Sequence, residues 1–152
     1  MGNSALKRSF LLERGSFDER FPYDAWDDYD MSRRLYESGL EVTYLPDAVC
    51  VHEHQVSFQE RYRAIYRVGE SAVIFESNYQ PLQAWHPLVD RSNELLSWKG
   101  WSKVAKLWFR QAITKAPSDR DTFYRRILDQ AFVAGYRSDL MNKHENEVEC
   151  NA

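Results

Sequence analysis

From Ser57 to about Ser77 the chain carries the pattern that most limits how it can fold. Phe58, Tyr62, Ile65, Val68, Ala72 and Phe75 recur every three or four positions, so one stripe of a helix is apolar and must be covered. Ser57 and Glu60 supply the S-x-x-E signature that opens such a helix, each side chain placed to accept from the other's backbone N–H. Further helices are predicted over about 88–98, 102–116 and 119–134. Gly100 and Pro117 act as breaks, Ser118 and Asp121 resemble a second capping box, and Ile127, Leu128, Ala131 and Phe132 form the last apolar face. Trp98, Trp101 and Trp108 fall in or beside these helices, where packing is the expected role. The polar end is expected to fray.

The first third has a different period. Residues 4–14 read as a short helix that Ser4 can cap and Gly15 stops, and residues 28–37 as a second helix. That second helix has acids in its first turn, Met31 and Leu35 on the core side, and Gly39 as its stop. LEVTYL (40–45) then alternates as a strand does, Pro46 and Asp47 turn the chain, and AVCVH (48–52) is a second short strand. The expected fold class is therefore α+β. Short strands and helices occupy 1–56, a long helix 57–80, a mainly helical extension 81–141 and a polar tail 142–152.

At 152 residues the chain suffices for one domain with a real core. A net charge of −3 excludes the broad positive field that holds nucleic acid. No apolar run approaches the roughly 20 residues that span a bilayer, and no secretion signal precedes the first helix. Cys50 and Cys150 form neither a metal-type nor a redox pair. A cytoplasmic protein is expected, with the inner face of the membrane as a peripheral alternative.

Two clusters could carry chemistry. AWDDYDMSRRL (25–35) places Asp27, Asp28 and Asp30 at a helix start. The structural account is that Asp27 caps the helix and the others complement its positive end, with Asp30 within reach of Arg34. The chemical account is that one carboxylate is a general base, since the positive end of a helix favours the charged form. VHEH (51–54) brings His52 and His54 two apart at a strand end, where they could share a metal only with distant acids. D-x-D occurs at Asp28–Asp30 and Asp119–Asp121, but neither follows a buried apolar strand, and Arg61, Arg63 and Arg67 read as a solvated helical face.

Taken in order, GNSALKR, GSFDERF, WDDYDMSRRL, GLEVTYLPDA and VHEH resemble the second half of a family 2 glycosyltransferase of the GT-A fold. The likeness runs over residues 2–54 and continues less specifically into YRVGES; beyond Tyr79 nothing specific matches. It implies that Asp28 is the catalytic base, that Asp27 (where Glu is usual), Trp26 and Asn3 contact the acceptor, and that His52, with His54 as fallback, binds a divalent metal, Mg or Mn. Ser16 replaces the second Gly of the family's G-G-F-D-E, a change in loop conformation rather than chemistry.

The implied reaction is transfer of a sugar from a nucleotide-sugar donor to a hydroxyl of a saccharide acceptor, with inversion. The family's nucleotide-binding half has no counterpart in the chain, so a fragment, inactive alone and needing that half or a partner domain, is expected. Two other readings stand beside it: a non-catalytic helical interaction module retaining a decayed enzyme segment, and, ranked last, a self-contained hydrolase metal site built from WDDYD and HEH.

Overall fold

A computed structural model of the chain describes residues 4–23, 25–79 and 87–150, with side chains to 142. It divides into two compact units, Met1–Val56 and Ser57–Ala152.

In the N-terminal unit α1 (Arg8–Arg14) is short and buries nothing, and α2 (Asp27–Glu37) carries the core. Met31 and Leu35, one turn apart, are buried with Phe21 and Ala25. The end of α2 is a Schellman closure: Leu40 N–H donates to Leu35 O at 3.0 Å and Gly39 N–H to Tyr36 O at 2.9 Å. The residue between them must turn left-handed, and Gly39, at φ +88°, does so without a Cβ penalty. Arg34 staples the unit together. Its Nη2 donates to Ser16 O at 2.7 Å, just past the end of α1, while its Nε donates to Asp30 at 2.9 Å.

The two expected strands do not form, and the α+β expectation is overturned. Among the described residues there is no strand, and every element is a helix. The turn at Pro46–Asp47 is present, with Ala48 N–H donating to Leu45 O at 3.1 Å. The flanking residues form no ladder, however: Val42, Tyr44, Val49 and Val51 are all more than 80 % exposed. Alternation needs a surface to bury one face and a neighbour to complete the ladder, and two short runs alone make only a marginal hairpin.

The C-terminal unit is built on two long helices, α3 (Phe58–Asn78) and α7 (Pro117–Cys150). The Ser57–Glu60 box forms in both directions: Glu60 N–H donates to Ser57 Oγ at 3.2 Å and Ser57 N–H to Glu60 Oε2 at 2.8 Å. α3 and α7 touch backbone to backbone. A Cβ on Gly69 would lie 2.0 Å from Phe132 O, and one on Gly135 would lie 2.0 Å from Tyr66 O. Around this crossing Ala72, Val73, Phe75, Ala131, Phe132 and Val133 form the core.

Tyr136 donates from α7 to the Glu76 carboxylate on α3, and burial, then that hydrogen bond, pushes its phenol well above the ordinary tyrosine range. α7 runs past the expected end at 134 to Cys150, with Gly135 as a contact position inside it, so the expected frayed tail from 142 is helical backbone up to that residue.

Between the long helices run α4 (Pro87–Asp90), α5 (Ser92–Leu96) and α6 (Trp98–Thr114). The break expected at Gly100 falls at Ser97, whose Oγ accepts from Gly100 N–H at 3.2 Å as the cap of α6. Gly100 sits within the helix because a Cβ there would lie 2.1 Å from Leu95 O. Pro117 begins α7 rather than only ending α6, as suits a residue with fixed φ and no N–H. The expected Ser118–Asp121 box is displaced accordingly, and Asp119 closes the corner, accepting from Thr114 Oγ1 at 2.7 Å and pairing with Arg110 at 3.0 Å. Gln130 Nε2 donates to Leu95 O at 2.7 Å, holding α7 to the α5–α6 turn.

Candidate functional site

The first turn of α2 sorts the three carboxylates. Asp30 is buried, 2 % exposed, and its charge is met by Arg34, so it is committed to structure. Asp27 and Asp28 are partly exposed on the same turn, where the positive end of the helix favours anions. With about 3.6 residues per turn, Asp28 falls at the rim of the buried arc that contains Met31 and Leu35, and Tyr29 points to the solvent side, 64 % exposed.

Asp27 does not cap the helix. Trp26 holds the cap position, with left-handed backbone at φ 67° and no side-chain cap, and its carbonyl accepts from Asp30 N–H at 2.8 Å. A bulky aromatic residue there is strained by of order 1–3 kcal/mol, a cost found where a chain must aim a side chain. The half-buried Trp26 ring lies 5.6 Å from that of Tyr29, so an aromatic pair flanks Asp27 and Asp28. The neighbouring loop is set by Asp18, which Arg20 grips through its side chain and backbone N–H, drawing the carboxyl down to about 2. Asn3, the remaining expected acceptor contact, lies outside the described residues.

His52 and His54 are exposed on the irregular segment after the turn, with ring centroids 5.8 Å apart. Among the described residues no group of three or more His, Cys, Asp or Glu side chains assembles that could hold a metal ion. Two imidazoles without a third donor fall short of a metal site, so the donor set present does not by itself fit Mg or Mn. The same finding leaves the self-contained hydrolase site without its ligands.

One feature of the C-terminal unit escaped the sequence. A groove of about 460 Å³ between α6 and α7 is lined by Lys103, Lys106, Arg125, Arg126 and Asp129. Arg126 is 13 % exposed, and its buried Nε and Nη2 have no hydrogen-bond partner, Glu94 lying 3.6 Å away. Glu94 is gripped by Lys103 at 2.6 Å and Arg91 at 3.3 Å, which draw its carboxyl down to about 2. The cations come from two consecutive helices, Lys103 and Lys106 three apart on α6 and Arg125 and Arg126 adjacent on α7, and the sequence did not say that these two faces meet.

Part of the chain is similar to a glycosyltransferase. Over 55 residues it is 36 % identical to the uncharacterized glycosyltransferase YfnE of Bacillus subtilis (strain 168). The match covers 36 % of this chain and 14 % of that relative. No family profile matches the chain, and no solved structure matches it. Among the described residues no helix is long and apolar enough to cross a membrane.

Proposed function

We propose that the chain is the acceptor-side part of an inverting family 2 glycosyltransferase, which moves a sugar from a nucleotide-sugar donor to a hydroxyl of a saccharide acceptor. The observation that carries this reading is the division of labour on α2: Asp30 is taken up by Arg34, whereas Asp28 stays partly exposed beside an aromatic pair. Asp28 removes the acceptor hydroxyl proton as its oxygen attacks the anomeric carbon, and the nucleotide diphosphate leaves. A single base suffices because that leaving group needs no protonation. Trp26 and Asp27 orient the acceptor, one by its apolar face and the other by accepting a hydroxyl hydrogen bond; Asn3 belongs to the same contact set.

A divalent metal, which would stabilise the leaving diphosphate, would take from this chain the His52 imidazole and would need its other ligands, like the nucleotide site, from a nucleotide-binding region or partner domain. The isolated chain is then inactive. The similarity to a glycosyltransferase over part of the chain supports the class of reaction.

A second reading, a helical interaction module without catalysis, is favoured by the exposed apolar side of α6. Product stereochemistry tests the first. With the chain joined to a nucleotide-binding region and supplied with an α-linked nucleotide sugar, NMR of the product should report a β linkage. A retained α linkage would contradict direct displacement by a single base, and the absence of nucleotide binding and transfer would favour the module.

A further inference from the structure

α6 buries one side and displays another. Gly100 and Val104 are buried and Leu107 and Gln111 half-buried, and these four share one side of the helix. On the other side Trp98, Trp101, Trp108, Phe109 and Ile113 are 84, 52, 56, 62 and 64 % exposed. At about 100° per residue they fall in one stripe, roughly 140° wide, with Ala105 and Ala112 between them. The expected packing role of the three tryptophans is therefore not what the structure has. A soluble protein commonly exposes single apolar residues but rarely a contiguous aromatic stripe, and such a patch marks an interaction surface.

The charge on the helix points to the partner. α6 carries Lys99, Lys103, Lys106 and Arg110 and no acid, and these four adjoin the aromatic stripe along one edge. Lys103 and Arg110 are partly neutralised by Glu94 and Asp119 on neighbouring elements. Past that edge lies the groove that adds Arg125 and Arg126, the latter with buried donors that an entering anion would satisfy. Tryptophan, with an apolar body and one N–H, is the residue of the boundary between water and lipid. An aromatic stripe bordered by Lys and Arg is the pattern of a helix lying in the plane of an anionic bilayer. The stripe is also a convex ridge, which deformable lipid accepts without a matching groove.

We propose that α6 docks the C-terminal unit on an anionic lipid surface. The aromatic stripe enters the headgroup boundary, and Lys99, Lys106 and Arg125 reach lipid phosphates. The inference uses neither Asp28 nor His52 and stands apart from the transferase reading.

Flotation of the 152-residue chain with lipid vesicles, read together with tryptophan emission, tests it. The chain should float with phosphatidylcholine vesicles containing phosphatidylglycerol at least about tenfold better than with phosphatidylcholine alone. Its emission should shift to the blue, and binding should fall at 1 M salt, where screening shortens to about 3 Å. The triple variant W101S/W108S/F109S should lose binding, and K99E/K106E should lose the preference for phosphatidylglycerol, with helical circular dichroism unchanged in both. Absence of flotation, equal flotation on both vesicles, or wild-type binding by the triple variant overturns the proposal. So does self-association abolished by the same three substitutions without vesicle binding, which would assign the stripe to a second copy of the chain.

Discussion

Asp28 and Asp30 stand two positions apart on α2 and have different fates, decided by which way each faces. Asp30 turns inward, where an unpaired carboxylate would be costly, and Arg34 one turn later meets it while donating to the carbonyl of Ser16. Lysine could not replace that arginine, because one ammonium cannot serve a carboxylate and a distant carbonyl in the same plane. Glu94 shows the same chemistry at the surface, gathering Arg91 from the turn before α5, Lys103 from α6 and Arg126 from α7. Its folded-state carboxyl titrates at about 2 against an ordinary 4.5, so its contribution is present above 4.5 and is lost as pH falls toward about 2. In acid titrations followed by circular dichroism, Glu94→Gln should remove part of the loss of stability in that window. An unchanged acid limb would mean that these cations do not hold the corner of α5, α6 and α7.

Among the elements, the α3–α7 pair depends on two glycines for which alanine would ordinarily be the better helix former. Gly135→Ala should gain up to about 1 kcal/mol of helix propensity and lose more to the clash with Tyr66 O. A net destabilisation of about 2–3 kcal/mol in urea unfolding is expected, and a neutral or stabilising result would contradict the backbone contact. These elements also mark what was legible in the sequence. The Ser57–Glu60 box, the apolar stripe of α3, and the Met31–Leu35 face of α2 depend on neighbours within one turn, and each was readable. The strands at 40–45 and 48–52 were misread because alternation records a preference, whereas a ladder needs a partner elsewhere. The break at Pro117 was readable, whereas Gly100 was misread because a glycine that ends a helix in isolation also permits a close contact within one. The exposure of Trp98, Trp101 and Trp108 was hidden for the same reason, since periodicity tells which residues share a side of a helix and not which side is covered.

At the scale of the whole molecule the chain divides into two compact units. Residues 1–56 hold the candidate acceptor chemistry on one short helix, and residues 57–152 form a helical unit with its own core and an uncovered aromatic ridge. The acidic cluster stood out in the sequence as a candidate, but its three carboxylates were separable only once Asp30 was seen buried against Arg34.

The most direct measurement of the central claim is therefore made on two variants side by side, Asp28→Asn and Asp30→Asn, in a protein that includes the nucleotide-binding region. Asp28→Asn should melt like the wild type, bind nucleotide, and lose at least about 10²-fold in kcat. Asp30→Asn should lose about 2–3 kcal/mol of stability, since it leaves Arg34 without its charge partner. Near-wild-type turnover by Asp28→Asn would contradict the assignment of that carboxylate as the base.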